Sequence, residues 1–278
     1  MQIKSKNKTL DLTTPQVMGI VNTTPDSFSD GGLYRQTEAA VAHAKAMIEA
    51  GVTIIDIGGE STRPGAEWVS EEEELARVIP VIKAIRAFSS VWISVDTSKA
   101  EVMKQAVEAG ADLINDVRSL TMPGAMAVAA KAQVPVCIMH MQGQPQTMQV
   151  SPQYRDVFQD VEDFLTERVS ACEQAGIPRE NLILDPGFGF GKTLQHNYHL
   201  LANLEKFHKF NLPVLAGMSR KSMIFKLLEK QPSQCMVGSV TCATLAVLKG
   251  AHIIRVHDFQ ETLEAMAIIR TMQENKTS

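Results

Sequence analysis

Sequence patterns typical of zinc binding, secretion or membrane insertion are missing from this chain. Its four cysteines form no C-x-x-C pair and have no histidine at zinc-finger spacing; they are Cys137, Cys172, Cys235 and Cys242. Residues 1–12 are polar and lysine-rich, unlike the apolar centre of a secretory signal. No apolar run approaches the roughly 18 residues of a membrane span. We therefore expect a cytoplasmic protein with reduced, buried thiols and no membrane partner.

A strong excess of positive charge and a rich set of aromatic side chains are also absent. Aromatic residues make up 5% of the chain, and the net charge is −4, which argues against a nucleic-acid partner held by a basic surface. Hydrophobic residues make up 45% and charged residues 21%, so a large buried core is expected. The 278 residues fit one α/β barrel, and we predict a single domain over 1–278.

Eight short apolar runs alternate with segments of helical period, a pattern typical of parallel strands joined by helices. The runs are Val17–Val21, Thr53–Ile57, Val91–Val95, Leu113–Ile114, Val136–Met139, Leu182–Leu184, Val214–Leu215 and Ile253–Ile254. Each run ends in a polar, charged or glycine-rich cluster. The sequence therefore predicts a (β/α)8 TIM barrel that carries its site on the C-terminal strand ends. Residues 1–12 are predicted to form a hairpin that closes the barrel bottom.

Local signals place several helix ends and two long loops. A helix over Glu38–Ala50 is expected to follow the loop Thr23–Gln36, and a second long loop, Ser61–Val69, follows the second strand. The pairs Ser70 with Glu73 and Asp258 with Glu261 have the spacing of capping boxes. The acidic run 71–74 accordingly indicates a helix start rather than an acidic binding site.

Three polar residues follow successive or nearby strands and should point over the same barrel mouth. Asp96, Asn115 and Asp185 form a set suited to a heteroaromatic ring rich in hydrogen-bond donors and acceptors. Asp185 opens a glycine-rich run to Thr193 that matches neither the P-loop nor the dinucleotide fingerprint, so we interpret it as a loop whose backbone approaches a flat ligand. Asp and Asn are also common turn residues, which is the alternative for each.

Basic residues after the seventh and eighth strands predict an anion site. Ser219–Ser222 and Arg255–His257 occupy the two loops in which barrels most often bind phosphate, and period-two alternation puts Arg255 and His257 on one side. The alternative is ordinary surface charge. Five further histidines have no recognisable partner in the sequence; they are His140, His196, His199, His208 and His252.

Long motifs of the chain resemble those of dihydropteroate synthases. The matching segments are 18–32, 55–65, Asn115–Asp116, 185–192, 219–222 and 255–257, and the resemblance covers nearly the whole chain. The one departure is Thr23, where members usually carry an aliphatic residue. The resemblance implies an enzyme of folate biosynthesis, a transferase that condenses 6-hydroxymethyl-7,8-dihydropterin diphosphate with 4-aminobenzoate to give 7,8-dihydropteroate and diphosphate.

The resemblance also implies roles for individual residues. The pterin edge would be held by Asp96, Asn115, Asp185 and Lys221, with Thr62, Met139, Gly189, Phe190 and Gly217 around it. Asn22 would support Mg²⁺ at the diphosphate, and the leaving anion would be held by Arg63, Arg255 and His257. The aminobenzoate pocket would comprise Phe28, Pro64, Lys221 and Ser222. Sulfonamides are expected as competitive inhibitors, and a homodimer is expected through the later helices.

The expected chemistry agrees with the lack of a Ser/His/Asp or Cys/His nucleophile. If the bond to diphosphate breaks before the amine attacks, the enzyme must stabilise a cation with Asp96 and Asp185 and an anion with Mg²⁺, Arg255 and His257. These residues and Lys221 are the predicted catalytic set. Three alternatives remain: a pterin-dependent methyltransferase, an aldolase with Lys221 as a Schiff base, and a non-enzymatic pterin-binding barrel.

Overall fold

An eight-stranded parallel sheet curls into the predicted barrel. The structure is a computed structural model that describes residues 1–24, 32–62, 65–143, 148 and 152–275, with backbone only for 32–34. The barrel strands are β3 (Gln16–Asn22), β4 (Ile54–Gly58), β5 (Trp92–Asp96), β6 (Leu113–Asp116), β7 (Val136–Met139), β8 (Leu182–Asp185), β9 (Leu215–Ala216) and β10 (Ile253–Val256). Their order is β8-β7-β6-β5-β4-β3-β10-β9, and a parallel bridge between Leu184 and Val214 joins the two ends. All eight predicted strands are confirmed.

Helices follow every barrel strand and cover the outside of the sheet. They are α1 (Gly32–Ala50), α2 (Glu71–Phe88), α3 (Ala100–Ala109), α4 (Ala125–Ala132), α5 (Val157–Gln174), α6 (Leu194–Ala202), α7 (Ser222–Phe225), α8 (Met236–Leu248) and α9 (Phe259–Glu274). Short 3-10 turns lie at Arg179–Asn181, Leu204–Phe210 and Pro232–Gln234. None of the described helices combines the length and apolarity needed to cross a bilayer.

The N-terminal hairpin closes the barrel bottom, as expected. Strands β1 (Gln2–Ser5) and β2 (Lys8–Asp11) pair in antiparallel fashion. Ile3, Leu10 and Leu12 form one apolar cluster with a residue from the start of each barrel strand. Lys8 Nζ adds an ion pair of 2.9 Å to Asp112 Oδ2 at the end of the barrel opposite the strand C-termini.

Two local expectations need correction. Helix α1 begins at Gly32, not Glu38, so it includes part of the segment predicted as loop; Arg35 and Gln36 are good helix formers and continue the helix. Asp258 makes no capping hydrogen bond at the start of α9, because its carboxylate pairs with Arg220. Ser70, by contrast, caps α2 by accepting from the Glu73 backbone N–H at 3.2 Å.

Candidate active site

The candidate site is the upper continuation of the barrel interior. The apolar layer at the bottom takes one side chain from each strand: Met18, Ile54, Trp92, Leu113, Cys137, Ile183, Leu215 and Ile253. Because side chains in a strand alternate between faces, the residue two positions later also points inward. Those residues are Ile20, Asp56, Ser94, Asn115, Met139, Asp185, Gly217 and Arg255. Asn22, Asp96 and His257 stand one further layer toward the strand C-termini, so the polar site rests on an apolar floor.

Arg255 lies between two carboxylates in this interior. Its Nε is 2.6 Å from Asp56 Oδ2 and its Nη2 is 2.7 Å from Asp96 Oδ2. Asn115 Nδ2 lies 3.3 Å from the same Asp56 oxygen. The amide nitrogen of Asn115 therefore faces Asp56, and its carbonyl oxygen is kept away from that carboxylate and remains an acceptor for a ligand.

Asp56 is a residue of the site that the sequence interpretation missed. Its side chain is fully buried and holds both Arg255 and Asn115. The signal was present in the sequence, since a carboxylate between Ile55 and Ile57 interrupts an otherwise apolar strand. The predicted site residues lie at strand ends, and Asp56 lies one layer below them.

Burial changes the acidity of the two predicted pterin carboxylates. It raises the pKa of Asp96 to about 7, against the opposing charge of Arg255 and with help from the negative Asp56. Burial also raises the pKa of Asp185, while Lys221 and the Gly187 N–H favour its charged form. The Gly187 N–H donates to Asp185 Oδ1 at 2.7 Å, and the other carboxylate oxygen is left for a ligand.

Lys221 reaches the site from the start of α7. Its Nζ donates to Phe188 O at 2.7 Å and lies 4.5 Å from the centre of the Phe190 ring. Burial lowers the pKa of Lys221 to about 8, although Asp185 favours its charged form. Gly189 allows this approach, because a Cβ there would lie 2.9 Å from Lys221 Cδ.

Beside Arg255, His257 is held at the end of β10. Its Nδ1 lies 3.1 Å from Ser219 Oγ, and its backbone N–H donates to the same oxygen at 3.2 Å. These two contacts join the loop after β9 to the end of β10. Ser222 begins α7 next to Lys221.

The remaining predicted residues lie on or after the barrel strands, or outside the described ranges. Asn22 ends β3 and is half-buried, and Thr62 is half-buried after β4. Met139 and Phe190 pack in one buried cluster. Gly217 lies close to Arg255, because a Cβ added at Gly217 would be 3.5 Å from Arg255 Cβ. Phe28, Arg63 and Pro64 are not among the described residues.

Thr23, the one departure from the family motif, fits its position. Its side chain is 2% exposed, and its Oγ1 donates to Gly58 O at 3.0 Å. The hydroxyl is therefore satisfied inside the protein and ties the end of β3 to the end of β4. The neighbouring Asn22 remains in strand register with Gly58.

Comparison with known proteins agrees with this geometry. The family model described as "Pterin binding enzyme" matches residues 18–257. The dihydropteroate synthase of Escherichia coli (strain K12) is 58% identical over 279 aligned positions, which cover 99% of each chain. The dihydropteroate synthase of Haemophilus influenzae is 55% identical and covers 96% of this chain and 98% of its own.

A solved structure gives the same result. The Yersinia pestis dihydropteroate synthase in a sulfonamide drug complex superposes with a TM-score of 0.95 at 56% identity, covering 99% of this chain and 100% of that one. These relatives favour the synthase over the methyltransferase, aldolase and scaffold hypotheses. With the barrel, its polar mouth and near-complete coverage in agreement, the chain belongs to the dihydropteroate synthase family of pterin-binding enzymes.

Proposed function

We propose that the residues at this barrel mouth carry out the family's reaction, the condensation of 6-hydroxymethyl-7,8-dihydropterin diphosphate with 4-aminobenzoate. The observation that carries the assignment is the buried set of acceptors formed by Asp96, Asn115 and Asp185, with the Lys221 ammonium beside it. A pterin edge offers neighbouring N–H groups that such acceptors match. Asp185 has one carboxylate oxygen held by Gly187, so its other oxygen receives the ligand.

Bond cleavage before amine attack fits the charges of the site. When diphosphate leaves, positive charge spreads over the pterin ring, and the carboxylates of Asp96 and Asp185 stabilise it. The amine of 4-aminobenzoate is neutral at pH 7, so it attacks the exocyclic carbon once it is positioned and then loses a proton. No described residue needs to act as a covalent nucleophile for this order of steps. The orientation of the two substrates accounts for much of the rate enhancement.

The anion end of the site would be formed by Arg255 and His257. The Arg255 side chain is 19% exposed, so its guanidinium reaches the mouth while Asp56 holds its Nε. Asp96 shares the same guanidinium, and the two carboxylates orient it for an incoming diphosphate. Arg63, which would join them, lies outside the described residues.

Mg²⁺ fits the donor set at the end of β3. Magnesium usually takes one or two protein oxygens and completes its shell with water and substrate phosphates. The half-buried Asn22 would hold it through the side-chain oxygen, next to the diphosphate end of the site. When bound, the ion supplies positive charge beside the diphosphate oxygens.

A second-substrate pocket would lie above Lys221 and Ser222, with Phe28 and Pro64 as further walls. A Xanthomonas albilineans dihydropteroate synthase solved with 4-aminobenzoic acid is 48% identical to this chain and superposes with a TM-score of 0.93 over 98% of each chain. Sulfonamides, which also present an aniline ring with an acidic para substituent, should compete with 4-aminobenzoate here.

The decisive experiment supplies purified protein with dihydropterin diphosphate, 4-aminobenzoate and Mg²⁺ and detects dihydropteroate by mass. Wild type should form product, should stop when EDTA removes the metal, and should slow when a sulfonamide is added at low aminobenzoate. Asp185→Asn should bind a pterin more weakly by roughly 1.5–3 kcal/mol, the value of a lost charged hydrogen bond. Absence of product from folded wild type would overturn the proposal.

Localisation and assembly are part of the same proposal. All four cysteines are free and buried, which suits a reducing cytoplasm. Helices α8 and α9 pack on each other and expose large apolar side chains, a feature of subunit interfaces. We therefore expect a cytoplasmic homodimer formed through these helices.

A further inference from the structure

Lys192 is a buried cation that the proposed reaction does not use. Its side chain is among the largest fully buried ones, at 2% exposure, although lysine is almost never buried without partners. It stands directly before Thr193, the N-cap of α6. It is the last charged residue of the glycine-rich run after β8, which matches neither the P-loop nor the dinucleotide fingerprint.

The Lys192 ammonium has four acceptors around it. Nζ lies 2.8 Å from Gly187 O, 3.1 Å from Phe190 O and 3.3 Å from His140 O. His140 Nδ1 is 2.9 Å away. An ammonium has three N–H donors for these four acceptors, so one N–H is shared between His140 O and His140 Nδ1, whereas a neutral amine has only two. Burial lowers the pKa of Lys192 well below its usual range, and the negative Asp185 and the three carbonyl oxygens favour its charged form.

His140 acts as a neutral acceptor in this cluster. Burial, together with the charge of Lys192, lowers the pKa of His140 to about 2. Because Nδ1 faces Lys192 Nζ, which donates, the ring proton is assigned to Nε2. The histidine that had no partner in the sequence is thus paired with a lysine 52 positions later.

The contacts of Lys192 fix the loop after β8, on which the Lys221 ammonium rests. Gly187 O and Phe190 O both turn inward to the Lys192 ammonium. The residues between them then place Phe188 O at 2.7 Å from Lys221 Nζ, and the Phe190 ring lies under the same ammonium. One buried cation therefore shapes the backbone on which the second cation rests.

Two glycines show how closely the β7 and β8 loops approach at this point. A Cβ at Gly187 would lie 1.8 Å from His140 O, and one at Gly191 would lie 2.4 Å from Gln142 O. Both have positive φ, +71° and +61°. Lys192 Nζ donates to His140 O and to Gly187 O, so it joins the two loops at the first of these approaches.

Lys192 also lies behind Asp185. Burial opposes the ionised carboxylate, and three cations favour it: Lys221 from the loop after β9, Lys192 from its own loop, and Arg255 from β10. We propose that Lys192 is a positioning residue of the reaction, which holds residues 187–190 in the shape that the pterin requires and keeps positive charge behind Asp185.

The proposal rests on the assignment of the pterin site to Asp185, and the experiment separates the two. Lys192→Met removes the ammonium at similar length, and Tyr154→Phe is the matched control. Tyr154 Oη donates to Gly191 O at 2.7 Å, so the control removes a hydrogen bond from the same loop without changing charge. Calorimetry would measure the Kd of a pterin from pH 5.5 to 9 for each protein.

We expect Lys192→Met to weaken pterin binding at least tenfold at pH 7 and to move the acidic limb of the binding profile to higher pH. Tyr154→Phe should keep the profile of wild type. Equal losses in both variants with no movement of the limb would reduce Lys192 to a structural role and overturn the proposal. Normal pterin binding by Asp185→Asn would instead overturn the site assignment.

A second variant and a measurement on wild type keep the test independent of how well the methionine variant folds. Lys192→Gln retains two N–H donors without the charge, and it should show the same shift of the acidic limb with a smaller loss of affinity. In wild type labelled with ¹⁵N-lysine, Lys192 Nζ should give an ammonium signal throughout pH 6–8. A neutral amine at pH 7 would contradict the three-donor geometry and end the proposal.

Discussion

At the scale of single residues, the site contains an acid and a base whose pKa values are shifted in opposite directions. Burial raises the pKa of Asp96 to about 7 and lowers the pKa of Lys221 to about 8. Both groups therefore titrate near neutral pH. Perturbed pairs of this kind are typical of functional sites.

The pH dependence of kcat/KM for the pterin diphosphate should be bell-shaped. Asp96 must be ionised to stabilise the positive charge of the pterin ring, so the rate rises as pH passes about 7. Lys221 must be protonated to keep its positive charge beside Asp185, so the rate falls as pH passes about 8. Steady-state rates at subsaturating pterin diphosphate measure these free-enzyme groups.

Two variants assign the limbs of that profile. Asp96→Asn should lose the rising limb, and Lys221→Arg should lose the falling limb because arginine stays charged. A wild-type profile that is flat between pH 5.5 and 9 would exclude both groups from the essential protonation states.

Asp56 should contribute to substrate affinity as much as the site residues in the layer above it. Asp56→Asn removes the charge that holds Arg255 Nε at 2.6 Å, and we expect the affinity for pterin diphosphate to fall by roughly 1.5–3 kcal/mol. Ser94→Ala is the matched control, since Ser94 is buried beside Asp56 in the neighbouring strand. Calorimetry that finds the two variants equal would remove Asp56 from the site.

Sequence reasoning found the residues at the strand ends but not those that act beneath them. Asp96 and Asp185 stand out because each follows an apolar run and precedes a turn. The carboxylate of Asp56 interrupts an apolar strand, but its partner Arg255 comes from another strand, and Lys192 is paired with His140 from another loop. Such pairings depend on how the barrel closes, and no spacing along the chain encodes them.

At the scale of elements, periodicity carried most of the information. The eight strands were predictable because buried parallel strands are continuous apolar runs, and their limits differ from the prediction by a few residues at most. Helix starts were harder. Asp258 had the spacing of a cap, yet it pairs with Arg220, because a charged partner on another loop competes for the same carboxylate.

The hairpin should contribute stability rather than catalysis. Ile3 is fully buried in the bottom cluster, so Ile3→Ala should reduce the free energy of unfolding by about 2–5 kcal/mol. The KM for either substrate should stay unchanged, because the cluster lies at the opposite end of the barrel. Urea unfolding and steady-state kinetics measure the two effects.

A change on the exposed side of the same strand serves as the control. Gln2 is exposed, and Gln2→Ala should leave stability within about 0.5 kcal/mol of wild type. If Ile3→Ala changes the KM as well as the free energy of unfolding, the hairpin influences the active site in addition to closing the barrel bottom.

At the scale of the whole molecule, exposed apolar side chains concentrate on two adjacent helices. Val237 and Leu248 on α8 are 71% and 51% exposed, and Ile268 and Met272 on α9 are 72% and 52% exposed. Elsewhere a single exposed apolar residue such as Phe88 is ordinary for a soluble surface. A cluster on neighbouring helices has the composition of a subunit interface.

The assembly prediction is that wild type has twice the mass of one chain and that a charge on this face separates the subunits. Ile268→Asp and Leu248→Asp each place a carboxylate where the partner would bury it, and an unpaired buried charge is strongly unfavourable. Light scattering at several protein concentrations should find monomers for both variants. Phe88→Asp, at the end of α2, should remain dimeric; Phe88 is 49% exposed, close to the 51% of Leu248. A dimer that persists in both helix variants but dissociates in Phe88→Asp would move the interface to α2, and a monomeric wild type would exclude the assembly itself.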